Sequence, residues 1–216
     1  MLEKMSDFFE ARLDGYDAHM LRNIESAEEF YPFTAACLPR IPECRILDLG
    51  CGTGLELEYY LQRNPDANIT GIDLSQGMLD ALREKFANRN ITLIQGSYFD
   101  VPFGEACFDG AVSVESLHHF PQEAKIPLYT KLCRALKPGS AFILTDYFSL
   151  TDAQEQSFFS ELTRLKAEQG ITDQEYYHFD TPLTVAHEKE ALLAAGFSSV
   201  EAVAKWGATH TIKAVR

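Results

Sequence analysis

Short apolar runs alternate with stretches of helical periodicity through the middle of the chain. The apolar runs are typical of buried parallel strands and predict strands at 45–49, 68–74, 91–95, 108–114 and 140–147. The intervening stretches carry apolar residues at helical spacing and predict helices at 55–63, 75–86 and 125–136. This alternation indicates an α/β fold with a doubly wound, mostly parallel sheet.

The pattern differs at both ends of the chain. Residues 1–40 are mainly of helical character, and we expect them to form an N-terminal helical cover. Residues 148–183 interrupt the alternation and predict an inserted helical lid. A helix at 184–196 and two strands around Gly207 complete the chain, and the glycine between the strands indicates an antiparallel hairpin.

The composition fits one globular domain over residues 1–216, with 46% hydrophobic and 24% charged residues. The net charge of -13 opposes nucleic-acid binding, because a basic stripe is needed to neutralise phosphates. The same charge disfavours anionic membranes, and no apolar run reaches the roughly 18 residues of a transmembrane helix. We therefore expect neither nucleic acid nor membrane as a partner. The oligomeric state stays open.

The cysteines and the first residues bear on the compartment. The five cysteines are odd in number and form no CxxC pair, which is typical of reduced thiols. The N-terminal stretch has mixed charge and lacks the apolar core of a signal peptide. We expect a cytoplasmic protein. The cysteine spacing predicts no zinc site, and we expect no metal.

A glycine-rich loop lies between the first predicted strand and helix, within "ILDLGCGTGLELEYYL" at 46–61. Gly50, Gly52 and Gly54 at this junction indicate that a ligand approaches the backbone closely. The spacing is G-x-G-x-G, and Leu55 stands where the dinucleotide fingerprint needs a small residue. The loop therefore departs from an NAD(P) site.

Two carboxylates indicate which nucleotide-like ligand the loop holds. Asp73 ends the second predicted strand, where an acidic residue accepts hydrogen bonds from both ribose hydroxyls. Asp48, just before the glycines, would repel a pyrophosphate and favour a positively charged ligand. A second reading of Asp48 is structural, with its carboxylate binding loop amides. Adenosine joined to a cationic amino acid is S-adenosylmethionine.

The motifs in their order resemble class I S-adenosylmethionine-dependent methyltransferases that act on small molecules. The resemblance covers about 45–216 and is carried by "ILDLGCGTG", "GIDLS", "IQGSYFDVPF", "FDGAVSVESLHHF" and "LKPGSAFILTD". It implies a Rossmann-like sheet of seven strands with a C-terminal antiparallel hairpin. It also implies that Tyr16, in the N-terminal helices, covers the cofactor; plain helix packing is the alternative for this residue.

The glycine loop, the acidic residues and the resemblance together define a set of expected cofactor-binding residues. Ser97 departs from the family, which often has Asp or Asn there, so adenine recognition is expected to rely more on the Tyr98 backbone. The expected set is Tyr16, Asp48, Gly50, Cys51, Gly52, Gly54, Asp73, Leu74, Met78, Ser97, Tyr98, Val114 and Glu115.

His118 and His119 are the candidate catalytic residues, because they follow the fourth predicted strand, where doubly wound sheets bind ligands. Adjacent side chains diverge, so we expect one to face the substrate and the other the core, and His119 is the favoured substrate-facing residue. For the same reason they are not expected to share a metal. A structural role for His119 is the alternative. Asp146 is interpreted as either a base or a loop brace.

The function predicted is methyl transfer from S-adenosylmethionine to a small-molecule acceptor by direct in-line displacement. Proximity and orientation supply most of the acceleration, and a base is needed only where the nucleophile carries a proton. Two alternatives are a non-catalytic cofactor-binding or regulatory protein and an NAD-dependent oxidoreductase, which Leu55 and Asp48 disfavour. The acceptor and its reacting atom stay open.

Overall fold

The strands form one sheet in the computed structural model, which describes residues 1–173 and 175–216. Seven strands lie in the described residues: β1 (Arg45–Leu49), β2 (Asn68–Asp73), β3 (Ile91–Gln95), β4 (Phe108–Val114), β5 (Leu136–Tyr147), β6 (Ser199–Trp206) and β7 (Thr209–Val215). Their order is β3-β2-β1-β4-β5-β7-β6. The first five are mutually parallel, and β7 is antiparallel to both β5 and β6. The predicted fold class is confirmed.

Helices connect and flank these strands. They are α1 (Met5–Glu10), α2 (Tyr16–Asn23), α3 (Ala27–Cys37), α4 (Leu55–Arg63), α5 (Gln76–Lys85), α6 (Gln122–Ala135), α7 (Asp152–Glu168) and α8 (Val185–Ala194). A single 3-10 turn, Leu117–His119, follows β4. Within the described stretches, no helix combines the length and the apolarity needed to cross a membrane.

The core has two parts because successive strand side chains point to opposite faces of the sheet. In β1, Ile46 packs in one cluster with residues of α3, α4 and α5. Leu47 and Leu49 pack in the other, with residues of α6 and α8. The helices therefore cover both faces, as the continuous apolar character of the strands requires.

One strand boundary differs from the prediction. β5 begins at Leu136 rather than at residue 140. Leu136 pairs with Phe108 on β4, and a register shift before Gly110 accommodates the extra residues before Ala141 resumes regular pairing. The Pro138–Gly139 pair therefore lies within the irregular start of β5, and α6 ends before it at Ala135.

The N-terminal helices and the stretch 148–183 are joined at the backbone. Lys4 and Tyr177 form an antiparallel bridge. The Met5 N–H donates to the Tyr176 carbonyl at 2.9 Å, and the His178 N–H donates to the Glu3 carbonyl at 3.0 Å. α1 is also held to α5, because Glu10 accepts a 2.7 Å hydrogen bond from the Ser75 hydroxyl. Gln174, inside the predicted lid, lies outside the described residues.

Candidate active site

The strand order brings four acidic side chains to one edge of the sheet. β2, β1, β4 and β5 are neighbours, and all four run in the same direction. Asp48, Asp73, Glu115 and Asp146 lie at or just beyond the ends of these strands. The order reverses between β1 and β4, which is the position where doubly wound sheets bind their ligands. The candidate active site lies at this edge.

The glycine loop between β1 and α4 has left-handed backbone at Gly50 (φ 72°), Gly52 (φ 48°) and Gly54 (φ 75°). A Cβ at Gly50 would lie 2.1 Å from the Ser116 hydroxyl oxygen, so the two loops touch there. At Gly52, by contrast, a Cβ would have no described atom within 4 Å. The loop is therefore packed on one side at Gly50 and open to a ligand at Gly52.

Asp73 organises the loop as well as facing the cavity beside it. Its carboxylate accepts hydrogen bonds from the Gly52 N–H and the Ser75 N–H, each at 2.9 Å. Ser75 in turn begins α5 by accepting a 3.1 Å hydrogen bond from the Met78 N–H, as an N-cap does. Burial raises the pKa of Asp73 above its ordinary value in spite of these N–H donors.

A narrow cavity of about 60 Å³ lies between the glycine loop and the N-terminal helices. Nine residues of the expected cofactor-binding set line it: Tyr16, Gly50, Gly52, Asp73, Leu74, Met78, Tyr98, Val114 and Glu115. Met5, Phe9 and Ser116 line it too and were not expected. Met5 and Phe9 are four residues apart on α1, a spacing that places them on one helical face.

The other four expected residues do not line the narrow cavity. Asp48 is 1% exposed beneath the glycine loop, and Cys51 is buried with its sulfur against Gly71. Gly54 is the N-cap of α4, and the Ser97 hydroxyl accepts a 3.2 Å hydrogen bond from the Phe99 N–H.

Asp48 has an unusual environment. Neither of its carboxyl oxygens has a hydrogen-bond partner among the described residues, and Oε1 of the buried Glu56 also has none. Burial, together with Glu56 and Asp73, raises the pKa of Asp48 well above its ordinary value. The raised pKa means that the charged form of Asp48 is disfavoured unless positive charge lies nearby.

A wider cavity of about 610 Å³ lies beside the narrow one. Phe9, Tyr16 and Glu115 line both cavities, so the two spaces meet at these residues. Glu115 has left-handed backbone (φ 49°), and its Oε1 is buried without a partner in the described part of the chain. Burial and the charge of Asp146 raise the pKa of Glu115 to about 8. Such strain persists where the surrounding structure enforces it, commonly at functional sites.

His118 and His119 both line the wide cavity, and each is 7% exposed. The expectation that one of them faces the core is therefore wrong. The chain forms a 3-10 turn at these residues instead of continuing as a strand, and the two rings lie with centroids 4.0 Å apart.

Asp146 fixes the turn that carries both histidines. One of its carboxylate oxygens accepts from the Leu117 N–H at 2.8 Å, and the other lies 2.5 Å from His118 Nδ1. Burial opposes the charged form of His118, but Asp146 and Asp180 raise its pKa to about 10. Burial and the charge of His118 lower the pKa of His119 to about 4. Asp146 acts as a brace for the turn and as the partner of His118.

The stretch 148–183 supplies the opposite wall of the wide cavity. Asp180 Oδ1 lies 3.5 Å from His118 Nε2 and 3.2 Å from His119 Nδ1. The His178 ring stacks on Phe8 of α1 with the ring centroids 3.4 Å apart. The Arg12 guanidinium also lies over the Phe8 ring, 3.7 Å from its centroid. The cavity is thus enclosed by both the N-terminal helices and the inserted stretch.

The two tyrosines beside His178 contact other groups. Tyr176 stacks with Phe99 at 5.5 Å between centroids, and the Tyr177 hydroxyl donates to Asp173 at 3.1 Å. No sequence pattern indicates Asp180, because nothing local links a carboxylate in an irregular stretch to histidines about sixty residues earlier in the chain.

Comparison with known proteins agrees with this architecture. Residues 46–139 match the methyltransferase domain family. O-methyltransferase rstn1 of Aspergillus nomiae is 32% identical over 108 residues, which cover 48% of this chain and 47% of that protein. The malonyl-acyl-carrier-protein O-methyltransferase of Herminiimonas arsenicoxydans is 32% identical over 184 residues, which cover 82% of this chain and 61% of that protein. The chain therefore spans less than two thirds of the length of these relatives.

The solved structures show the same fold. Human N-acetylserotonin methyltransferase, determined in complex with S-adenosylmethionine, has a TM-score of 0.64 at 18% identity, over 97% of this chain and 55% of that one. The seven-stranded sheet with its closing hairpin is the methyltransferase version of the Rossmann-like fold. Residues 46–139 therefore contain a methyltransferase domain, and the resemblance of the motifs to class I S-adenosylmethionine-dependent methyltransferases is confirmed.

The two faces of the glycine loop lead to a prediction for alanine variants. Both Gly50→Ala and Gly52→Ala place a side chain on left-handed backbone, at a cost of about 1–2 kcal/mol. Gly50→Ala also forces a Cβ against Ser116, which adds about 1–3 kcal/mol of overpacking. Urea unfolding should therefore show Gly50→Ala to be the less stable variant. Gly170→Ala, on left-handed backbone without such a neighbour, is the control, and equal losses at positions 50 and 52 would contradict this description of the loop.

Proposed function

We propose that this protein transfers the methyl group of S-adenosylmethionine to a small-molecule acceptor. The observation that carries the proposal is that two cavities share Phe9, Tyr16 and Glu115 in their linings. The narrow one is lined by the glycine loop and Asp73, and the wide one is lined by His118 and His119. A donor and an acceptor placed in these spaces would meet at Glu115.

The lining of the narrow cavity suits an adenosyl ligand that carries positive charge, and the N-terminal helices must move to enlarge its volume of about 60 Å³ when such a ligand binds. Asp73 has acceptor capacity left for ribose hydroxyls, because a carboxylate offers about four lone-pair positions and only two N–H groups occupy it. Gly52 leaves the backbone open to close approach. Asp48, with its unpartnered oxygens beneath the loop, makes the local potential negative when it ionises. When bound, S-adenosylmethionine supplies an electrophilic methyl group on a sulfonium.

The same features disfavour the two alternatives. A pyrophosphate would be placed above Asp48 and against Asp73, with no described basic side chain lining the narrow cavity to neutralise it. Leu55 is buried in the first turn of α4, where a dinucleotide site needs a small residue. A second cavity of about 610 Å³, lined by buried histidines, offers space for an acceptor beside the cofactor. This favours an enzyme over a protein that only binds the cofactor.

The wide cavity fits a drug-sized organic acceptor, since such sites span about 300–1,000 Å³. Phe8, Phe9 and Tyr147 provide apolar walls that exclude water, while His118 and His119 provide the polar contacts. Both relatives described above are named as O-methyltransferases, which favours an oxygen as the accepting atom here. Transfer then depends mainly on holding that oxygen in line with the methyl–sulfur bond.

We further propose a cytoplasmic protein that does not act on nucleic acids. The five cysteines are free thiols, which suits a reducing compartment. The net charge of -13 opposes association with phosphate backbones.

Ligand binding tests the proposal directly. Calorimetry should show saturable binding of S-adenosylhomocysteine and S-adenosylmethionine and no binding of NAD. Asp73→Asn should weaken S-adenosylhomocysteine binding about 10-fold to 200-fold, the equivalent of one charge-assisted hydrogen bond. Asp80→Asn, which removes an exposed carboxylate paired with Arg83, is the matched control and should bind like the parent.

Two results would contradict this assignment. One is tight NAD binding without any response to S-adenosylhomocysteine. The other is unchanged affinity for S-adenosylhomocysteine in a folded Asp73→Asn variant together with lost affinity in His119→Ala. That outcome would mean that the cofactor binds in the wide cavity rather than in the narrow one.

We also propose that residues 1–40 and 148–183 form a cover and a lid that open to admit the acceptor. They meet through the Lys4–Tyr177 bridge and the Phe8–His178 stack rather than through the sheet. A cover and a lid over such a site must open for substrate and product to exchange, and they must close to exclude water.

Hydrogen exchange measures this motion. Amides of Met5 and His178, which bond across the cover and the lid, should exchange more slowly when S-adenosylhomocysteine is bound. Phe8→Ala removes the stack and should speed their exchange in the free protein. Phe33→Ala, which removes an edge contact with Trp206 far from the lid, is the control. Equal exchange rates of these amides with and without ligand would contradict the opening of the cover and the lid.

A further inference from the structure

We propose that His118, His119 and Asp180 form a binding site for a first-row divalent metal ion in the wide cavity. Metal binding is inferred from the ligand geometry alone. Only the use of the ion in methyl transfer rests on the proposed function.

The three side chains present their donor atoms to one point. One nitrogen from each histidine and a carboxylate oxygen of Asp180 all lie within 4.8 Å of one another. Asp180 Oδ1 is 3.2 Å from His119 Nδ1 and 3.5 Å from His118 Nε2. Ligand atoms about 2.0–2.2 Å from a common ion are about 2.8–3.6 Å apart in tetrahedral or octahedral geometry. Both separations fall within this range.

The outer environment of His118 is that of a metal-bound histidine. Its Nδ1 lies 2.5 Å from Asp146, which is itself anchored by the Leu117 N–H. Histidine ligands commonly donate their second ring N–H to a carboxylate in this way, which fixes the tautomer and orients the other nitrogen. Asp146 therefore leaves Nε2 of His118 facing the cavity and Asp180.

Glu115 is a second and independent indication of a cation. Its Oε1 is buried without a partner among the described residues, and its backbone is left-handed. A donor atom of Glu115 lies within 4.8 Å of those of His118 and Asp146. A buried carboxyl oxygen without a partner is costly, and a divalent ion at the neighbouring histidines would offset that cost.

The donor set selects the class of metal. Two imidazole nitrogens and one carboxylate oxygen suit Zn²⁺, Co²⁺, Fe²⁺ or Mn²⁺, whereas Mg²⁺ and Ca²⁺ prefer oxygen ligands throughout. Three protein ligands leave positions open, as catalytic rather than structural sites do. The ion would thus face the acceptor and polarise its oxygen as a Lewis acid. It would also tie the lid to the sheet, because Asp180 belongs to the lid and the histidines follow β4.

Metal titration of the chelator-treated protein, without any cofactor, tests the site. Calorimetry with CoCl₂ and ZnCl₂ should give one high-affinity ion per chain. The bound Co²⁺ should show d–d absorption of a nitrogen and oxygen site, without the charge-transfer band of a thiolate. His119→Ala and Asp180→Asn should abolish this binding. Asp146→Asn, which keeps all three ligands but changes the partner of His118, should weaken it about 10-fold to 100-fold.

His187→Ala is the matched control, because it removes a histidine that pairs with a carboxylate, Glu155, away from the cavity. It should bind metal like the parent. Circular dichroism of each variant shows whether it is folded, and the conservative Asp180→Asn change keeps the test valid if His119→Ala does not fold.

Three results would overturn the inference: no saturable binding to the parent, unchanged binding in the folded Asp180→Asn variant, or a thiolate band. The first would mean that a charged His118 is simply held between Asp146 and Asp180. Titration of the same samples with S-adenosylhomocysteine separates the two proposals. Cofactor binding without metal binding rejects the metal site and leaves methyl transfer standing, and metal binding without cofactor binding does the reverse.

Discussion

Burial of acidic groups at one edge of the sheet is the constraint on which the site depends. Parallel neighbours β1, β2, β4 and β5 end there, and each contributes a carboxyl group at or close to its last residue. Charged carboxylates are expensive to bury without partners. Asp73 obtains backbone N–H donors and Asp146 obtains His118, whereas Asp48 and Glu115 keep unpartnered oxygens among the described residues. The free protein is therefore complementary to positive charge at this edge.

This complementarity joins the two proposals. A sulfonium cofactor brings positive charge to the side of Asp48 and Asp73, and a divalent ion would bring it to the side of His118 and Asp180. Glu115 lies between them and lines both cavities. Residues of the N-terminal helices and of the stretch 148–183 line this region, and their packing lowers the local dielectric constant, which strengthens charge interactions inside.

Much of this arrangement could be predicted from the chain. The apolar runs, the glycine spacing and Asp73 depend on local pattern, and they led to the sheet and to most of the lining of the narrow cavity. The pairing of His118 with Asp146 depends on which strands are neighbours, and both residues were placed at strand ends without being paired.

The remaining features depend on tertiary packing. The orientation of both histidines follows from a 3-10 turn after β4, in which adjacent side chains need not point apart as they do in an extended strand. Asp180 and Phe9 reach the site because the lid and α1 pair with each other across the cavities. Neither an irregular stretch nor a short helix has a periodic signal that reports such a contact.

The most direct test of the central constraint is the stability of Asp48→Asn relative to the parent as pH changes. The folded pKa of Asp48 is raised, so the folded parent binds more protons than the unfolded chain above the ordinary value of 3.8. Its stability is then full below that value and is lost as pH rises towards the folded pKa, by up to about 1.4 kcal/mol per pH unit. The asparagine side chain of the variant cannot ionise, so urea unfolding between about pH 5 and 8 should show the advantage of the variant growing with pH. A difference that stays constant or shrinks with rising pH would contradict the account.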